Sequence, residues 1–245
     1  MIKENISFIR ERIAAACQRA QWRSGIPVKI VAVSKGSPLS QVREAAEAGI
    51  TDVGENRVRE ALTKFRECGE LDPELLSRLK WHMVGHLQTN KAGDAVTIFD
   101  SIHSVDSFRI AQEIDSCARA AGKSIELLIE VNISGEESKH GVRPEEALEL
   151  CRQVYGLHNV SLNGLMTIAP YSADREHARP FFRGLRELRD SINSALSTPG
   201  GLPVLSMGMT QDFETAVEEG ATVVRIGRGI FGTPSTGAVE EVRES

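Results

Sequence analysis

The chain has 245 residues, with 29 Lys+Arg against 34 Asp+Glu and a formal net charge of −5. One large domain or two small ones fit this length, and ~250 residues is also the usual size of a single eight-fold α/β barrel. The mild negative charge speaks against a nucleic-acid binder that neutralises phosphates with a basic surface, and 41% hydrophobic residues suffice for a sizeable core. No stretch approaches the ~20 uninterrupted apolar residues of a membrane span. The opening Met1-Ile2-Lys3-Glu4-Asn5-Ile6 mixes charges with apolar residues, unlike a secretory leader. Cys17, Cys68, Cys117 and Cys151 are far apart and form no Cys-x-x-Cys. Free thiols in a reducing cytosol are therefore expected, on helices where packing is their default role.

The dominant pattern is strand, loop, helix, repeated. Ile2, Ile6, Ile9 and Ile13 recur at helical spacing and predict a leading helix over 2–23. Strands follow at 28–33, 51–54, 80–84, 101–105, 125–131, 160–166, 203–206 and 222–226. Helices fall between them at 40–48, 57–66, 91–96, 108–121, 144–155, 179–196 and 211–219. The fifth strand is nearly all apolar, as a strand buried on both faces should be. Residues 134–143 and 197–202 read as exposed loops. Eight strands alternating with helices predict an α/β fold with a parallel sheet, and the count favours a closed TIM (β/α)8 barrel over an open doubly wound sheet. No Gly-x-Gly-x-x-Gly follows the first strand, which weakens a dinucleotide-binding alternative. The whole chain reads as a single domain: a barrel over about 28–232, the leading helix, and a tail at 234–245.

Functional residues of such barrels lie at the carboxyl ends of the strands. The first strand ends in Ser34-Lys35. An amine at the mouth of a low-dielectric core is expected to lose its proton more readily, and a neutral amine can attack a carbonyl to form a Schiff base. The plain alternative is a solvated strand-end lysine. The seventh strand runs into Ser206-Met207-Gly208, and Gly227-Arg228-Gly229 follows the eighth. Loops after strands 7 and 8, with a helix N-terminus, often hold phosphate in barrels, although such glycines can also serve turns alone. An imine-forming lysine with a phosphate cradle fits a phosphorylated carbonyl substrate or pyridoxal 5′-phosphate. Arg225, the only charge in the apolar run 221–226, needs an acceptor if it points inward. A pyridine nitrogen would serve, as would a carboxylate such as Glu55. His82 and His86 stand four apart at a strand-to-loop junction, which does not place both rings on one helical face, so no metal is expected. Lys139-His140 sits in a polar loop where solvation is the simplest role.

Several segments together resemble the pyridoxal-phosphate homeostasis proteins. They are Val31-Ala32-Val33-Ser34-Lys35, Gly54-Glu55-Asn56, His82-Met83-Val84-Gly85-His86-Leu87-Gln88-Thr89-Asn90-Lys91, Val131-Asn132-Ile133-Ser134-Gly135-Glu136-Glu137-Ser138-Lys139, Gly164-Leu165-Met166-Thr167, Ser206-Met207-Gly208-Met209 and Arg225-Ile226-Gly227-Arg228. The family is similar in fold to the N-terminal barrel of alanine racemase. The resemblance implies that Lys35 holds pyridoxal phosphate as a Schiff base and that Arg225 faces its ring nitrogen. It also implies that Ser206 and the backbone of Gly227 and Arg228 hold the phosphate, with Asn56 and Met166 along the ring. Gly36-Ser37, Arg57 and Thr210 depart from the family's usual residues, leaving loop detail open.

The resemblance implies a non-catalytic carrier or buffer of the cofactor, with apo-enzymes that use it as recipients. Racemisation needs a base on each face of the substrate. The chain runs little beyond the eighth strand, so the second domain that supplies the racemase tyrosine is expected to be absent. Neither Tyr155 nor Tyr171 clearly replaces it. An amino-acid racemase or transaminase of narrow range, and a lysine Schiff-base aldolase, stand as alternatives. A cytoplasmic monomer without membrane or nucleic-acid partners is expected.

Overall fold

The computed structural model describes residues 1–20, 27–196 and 200–232. The expected end of the leading helix at 21–23, part of the loop at 197–202 and the tail at 234–245 lie outside these residues. The eight strands are β1 (Lys29–Val33), β2 (Asp52–Glu55), β3 (Lys80–Met83), β4 (Ser101–Val105), β5 (Ile125–Glu130), β6 (Val160–Met166), β7 (Val204–Ser206) and β8 (Val223–Ile226). They pair in parallel in chain order and close into a barrel through β8 and β1, with Val31 opposite both Asp52 and Arg225. The expected (β/α)8 architecture is the one observed.

The helices are α1 (Ile2–Arg19), α2 (Leu39–Glu47), α3 (Val58–Leu71), α4 (Pro73–Arg78), α5 (Ala92–Ile98), α6 (Phe108–Ala121), α7 (Pro144–Tyr155), α8 (Arg179–Leu196), α9 (Phe213–Glu218) and α10 (Arg228–Phe231). Two differ from the pattern expected over the β2–β3 and β7–β8 connections. Helix α3 runs on to Leu71, and Asp72 then accepts a hydrogen bond from the Leu75 amide at 3.0 Å, with Pro73 opening the separate helix α4. Helix α9 starts two residues late because the Asp212 carboxylate turns back to the Met209 amide at 2.6 Å, closing a loop where helix was expected. Helix α1 buries Ile2, Ile6, Ile9 and Ile13 against α2, α9 and α10. Arg12 and Arg19 fasten it to Glu214 and Glu218 of α9 at 2.7 and 2.6 Å.

Successive residues of a strand point to opposite faces. One set, including Ala32, Val53, Trp81, Met83, Ile102, Leu127, Ile129, Leu165 and Val224, joins the apolar layer under the helices. The opposite set forms only a small valine cluster of Val31, Val33, Val84 and Val223. Gly54 belongs there too: a Cβ on it would lie 2.9 Å from a Val31 methyl, so the valines fill its space. Barrel interiors are usually packed with layers of branched apolar residues. Here most of the interior is polar, with Asp52, His82, His103, Glu130, Ser206 and Arg225 all buried. All four cysteines are free thiols on helices, two of them buried. Among the described residues no helix is long and apolar enough to cross a membrane.

Candidate functional site

A cavity of about 270 Å³ opens at the carboxyl rim of the barrel, and its walls include Lys35, Asn56, Thr210, Arg225, Gly227 and Arg228. Five of the seven residues singled out in the sequence therefore meet in one place. Lys35 follows β1 in a turn that is pinned on both sides. The Ser34 amide donates to the Gly54 carbonyl at 2.9 Å, and Gly36 takes φ of 70° while its amide donates to Glu60. Nothing in the sequence singles out Lys64, yet this buried lysine donates to the Ser34 carbonyl at 2.8 Å and pairs with Glu55. Burial raises the Glu55 pKa, and Lys64 and Ser34 pull against it. Glu55 is thus committed to Lys64, which removes it as the partner of Arg225. Lys35 itself is exposed, which corrects the expectation of a desolvated amine: burial stops at Ser34, and the turn carries the next side chain out to the rim.

Asn56 ends the second strand's loop, and Gly85 lies directly on its backbone. A Cβ at Gly85 would collide with the Asn56 carbonyl and sit 2.9 Å from its Cα. Gly85→Ala is expected to lower stability by about 1–3 kcal/mol through overpacking, read as a lower denaturation midpoint.

Gly227 precedes the short helix α10, whose first amides have no acceptor within the helix. The Gly229 amide donates to Thr210 Oγ1 at 3.2 Å, and the Arg225 amide donates to the Gly208 carbonyl at 3.0 Å. Thr210, visible in the sequence only as a departure from the family, thereby ties the β7 loop to the β8 loop. Gly208 takes φ of 90° with the Ala216 methyl 2.5 Å from where its Cβ would be, so no larger residue fits there. Among the described residues neither Lys35 nor Arg228 has a side-chain hydrogen bond or ion pair. Two cations without carboxylate partners share one cavity wall.

Arg225 points inward, as expected, and is 4% exposed. Its Nη1 donates to Ser206 Oγ at 2.7 Å and its Nη2 to the Thr167 carbonyl at 2.9 Å. Burial pulls its pKa down to about 10, with Glu130 and Asp212 opposing, so it stays cationic at neutral pH. Below it runs a hydrogen-bonded chain: Ser206 to His103 Nδ1 at 3.0 Å, His103 Nε2 to His82 Nδ1 at 3.0 Å, and His82 Nε2 to Asp52 at 2.9 Å. Lys29 closes it against Asp52 at 2.9 Å on the opposite rim.

The Asp52 end fixes the direction of its own link. Burial would raise the Asp52 pKa, but hydrogen bonds from His82, Thr51 and Lys29 outweigh it and hold the carboxyl ionised, well below the usual range. His82 Nε2 must then donate to it. Burial keeps His103 neutral, aided by His82 and Arg225, so one of its ring nitrogens donates and the other accepts. Ser206, expected at the phosphate, is fully buried below the cavity wall, where it braces Arg225. Met166 is likewise fully buried at the end of β6 and is not in the wall; residues 168–172 line it instead. His82 belongs to this interior chain, whereas His86 stands at the rim.

Glu130, at the end of β5, is also buried near Arg225. Burial pushes its pKa up to about 7, against the pull of Arg225 and with a push from Asp106. Below its ordinary value of 4.5 it is protonated in both folded and unfolded chains. As pH rises towards 7 only the unfolded chain ionises, so stability falls over that window and stays at the lowered level above it. Glu130→Gln is expected to gain about 2–3 kcal/mol over the wild type between pH 5 and pH 8. Melting curves of both proteins at the two pH values read this difference.

Residues 4–235 match the family model of the alanine racemase N-terminal domain, so fold and site define a barrel of that class. A protein of Aquifex aeolicus is 44% identical over 94% of this chain and 96% of its own length, and one of Pseudomonas aeruginosa is 41% identical over 97% of both. Both are named pyridoxal phosphate homeostasis protein. PipY of Synechococcus elongatus, solved without and with pyridoxal phosphate bound, superposes with TM-scores of 0.83 and 0.77 at 35% and 37% identity. The two matches cover 95% and 91% of this chain and 100% of each PipY chain. An alanine racemase of Clostridium difficile shares the fold alone, at TM-score 0.70 and 14% identity, over 95% of this chain and 61% of the racemase. The chain belongs to the family of pyridoxal phosphate homeostasis proteins.

Proposed function

We propose that this chain binds pyridoxal 5′-phosphate in the rim cavity and holds it without turning over a substrate. The observation that carries the reading is the pair of unpartnered cations, Lys35 and Arg228, sharing a cavity with the buried fork of Arg225. The donor set fits the group: an amine, a guanidinium with N–H groups to spare, and a glycine-rich helix start. When bound, the cofactor supplies an aldehyde that an amine can capture and an electron-withdrawing ring. Lys35 is the capturing residue, and the exposure of its amine suits reversible loading. Arg225, fixed by Ser206 and the Thr167 carbonyl, presents its remaining N–H groups to the ring nitrogen. As a cation it keeps that nitrogen unprotonated and so blunts the ring's power to support carbanion chemistry. Gly227 and Arg228 hold the phosphate, with Thr210 bracing Gly229. Asn56 flanks the ring. Met166 and Ser206 support these groups from beneath.

The non-catalytic reading rests also on the tyrosines. Tyr171 is at the cavity but 78% exposed, and Tyr155, on the end of α7, has a buried hydroxyl without a partner among the described residues. Neither is held as a base opposite Lys35. The same reading takes the chain as a cytoplasmic monomer that passes the cofactor to apo-enzymes, an exchange that an amine at an open rim favours.

The test is loading with pyridoxal phosphate, borohydride reduction and peptide mass mapping. Visible absorbance that disappears on reduction, with one pyridoxyl group on Lys35, is the expected result. Absence of both would overturn the site. Solvent deuterium appearing at the α-carbon of any amino acid in a broad panel would replace the carrier by a racemase or transaminase.

A further inference from the structure

We propose that His86, Asp106 and His140 form a binding site for a divalent first-row transition-metal ion at the carboxyl rim. The three residues arrive from three separate connections, after β3, β4 and β5, and offer one ligand atom each within 4.8 Å of one another. His86 Nδ1 lies 3.4 Å from Asp106 Oδ2. That is long for a charge-assisted hydrogen bond, which favours about 2.7–2.9 Å. It matches the spacing of two donors bound at about 2.0–2.1 Å around one tetrahedral ion. The His140 ring stacks on His86 at 4.1 Å and 11°. Among the described residues neither imidazole has another hydrogen bond or ion pair, so no competing contact must break.

The backbone that presents His140 is already fixed. The Asn132 amide donates to the Val142 carbonyl and the Val142 amide to the Glu130 carbonyl, each at 2.9 Å, so the two ends of the loop are laddered together. Gly141 takes φ of 109° against the Asn132 amide, 2.8 Å from where its Cβ would be, which holds the turn directly after His140. Binding needs only a rotation of the exposed His140 ring out of the stack, so that its in-plane lone pair meets that of His86. Two imidazoles and one carboxylate select Zn²⁺, Co²⁺ or Ni²⁺ over Mg²⁺ and Ca²⁺, which prefer all-oxygen shells. Water fills the remaining positions, because the site lies open at the surface. Lys139, next to His140, lines the large cavity, so a bound ion would also fix that part of the cavity wall.

The test uses the full chain, stripped with a chelator and free of affinity tags. Co²⁺ is titrated at pH 7.5 and followed by visible absorption, and Zn²⁺ by calorimetry. One saturable site is expected, weakened by about tenfold or more in each of His86→Ala, Asp106→Asn and His140→Ala. His158→Ala and His177→Ala, which alter exposed histidines elsewhere, should leave it unchanged. All five positions are at least partly exposed, and circular dichroism confirms that each variant folds. Failure to saturate at millimolar metal overturns the proposal. So does binding that survives in the His86→Ala/His140→Ala double variant, which would assign the ion to other ligands.

Discussion

His103→Leu is expected to destabilise the barrel by about 2–6 kcal/mol, because it strands a buried ring nitrogen on His82 and a buried hydroxyl on Ser206, each worth roughly 1–3 kcal/mol. Leucine has similar bulk, so the loss is polar and not a cavity effect. Val31, Val33, Val84 and Val223, which share the interior, offer no substitute partner. The loss should not add to that of neighbours. With Ser206→Ala in place, His103→Leu strands one group fewer, and the double variant should fall short of the sum of the singles. Denaturant unfolding of the four proteins measures both effects. A His103→Leu protein within about 0.5 kcal/mol of wild type, the range of ordinary surface substitutions, would show that the interior chain is not needed for stability.

That chain also marks where sequence reading stops. Helices α6, α7 and α8 and strands β4 and β6 carry the bounds expected from periodicity and capping signals, because those signals are local. Strand alternation places Lys29, Val31 and Val33 on one face and Arg225 on the face of Val223. What alternation cannot supply is which inward residue of one strand meets which of another, since that depends on how the barrel closes. His82 is visible as a polar residue inside β3, and His103 inside β4. Their contact, and its extension to Asp52 and Ser206, needs the register of β2 through β8. Ser206 shows the same limit: a strand-end serine can face the rim or the interior, and here Arg225 holds it inward. Lys64 is hidden differently. On an amphipathic helix a lysine looks solvated, and only the third dimension turns it onto Ser34 and Glu55. His86, Asp106 and His140 come from three connections, so no spacing within one segment could unite them.

Lys35→Ala is expected to abolish borohydride-stable attachment of pyridoxal phosphate and to weaken cofactor binding far more than Arg228→Ala does. The reason lies in what each residue contributes. In the proposed site Arg228 would add one charged contact to a phosphate that backbone amides at a helix start would also hold, so its loss should cost about 1.5–3 kcal/mol, or roughly tenfold to a hundredfold in affinity. Lys35 supplies the bond itself, and no charged contact replaces it. Stability gives the control. The Lys35 side chain is exposed and makes no hydrogen bond or ion pair among the described residues. Its removal should therefore leave unfolding within about 0.5 kcal/mol of wild type. Loss of the cofactor from a protein of unchanged stability would be a chemical loss, traceable to one amine. Lys139 lines the same cavity and is the nearest competitor. A Lys35→Ala protein that still gains a pyridoxyl group, mapped to Lys139, would transfer the capturing role to the β5 loop and leave Lys35 as a phosphate or rim contact.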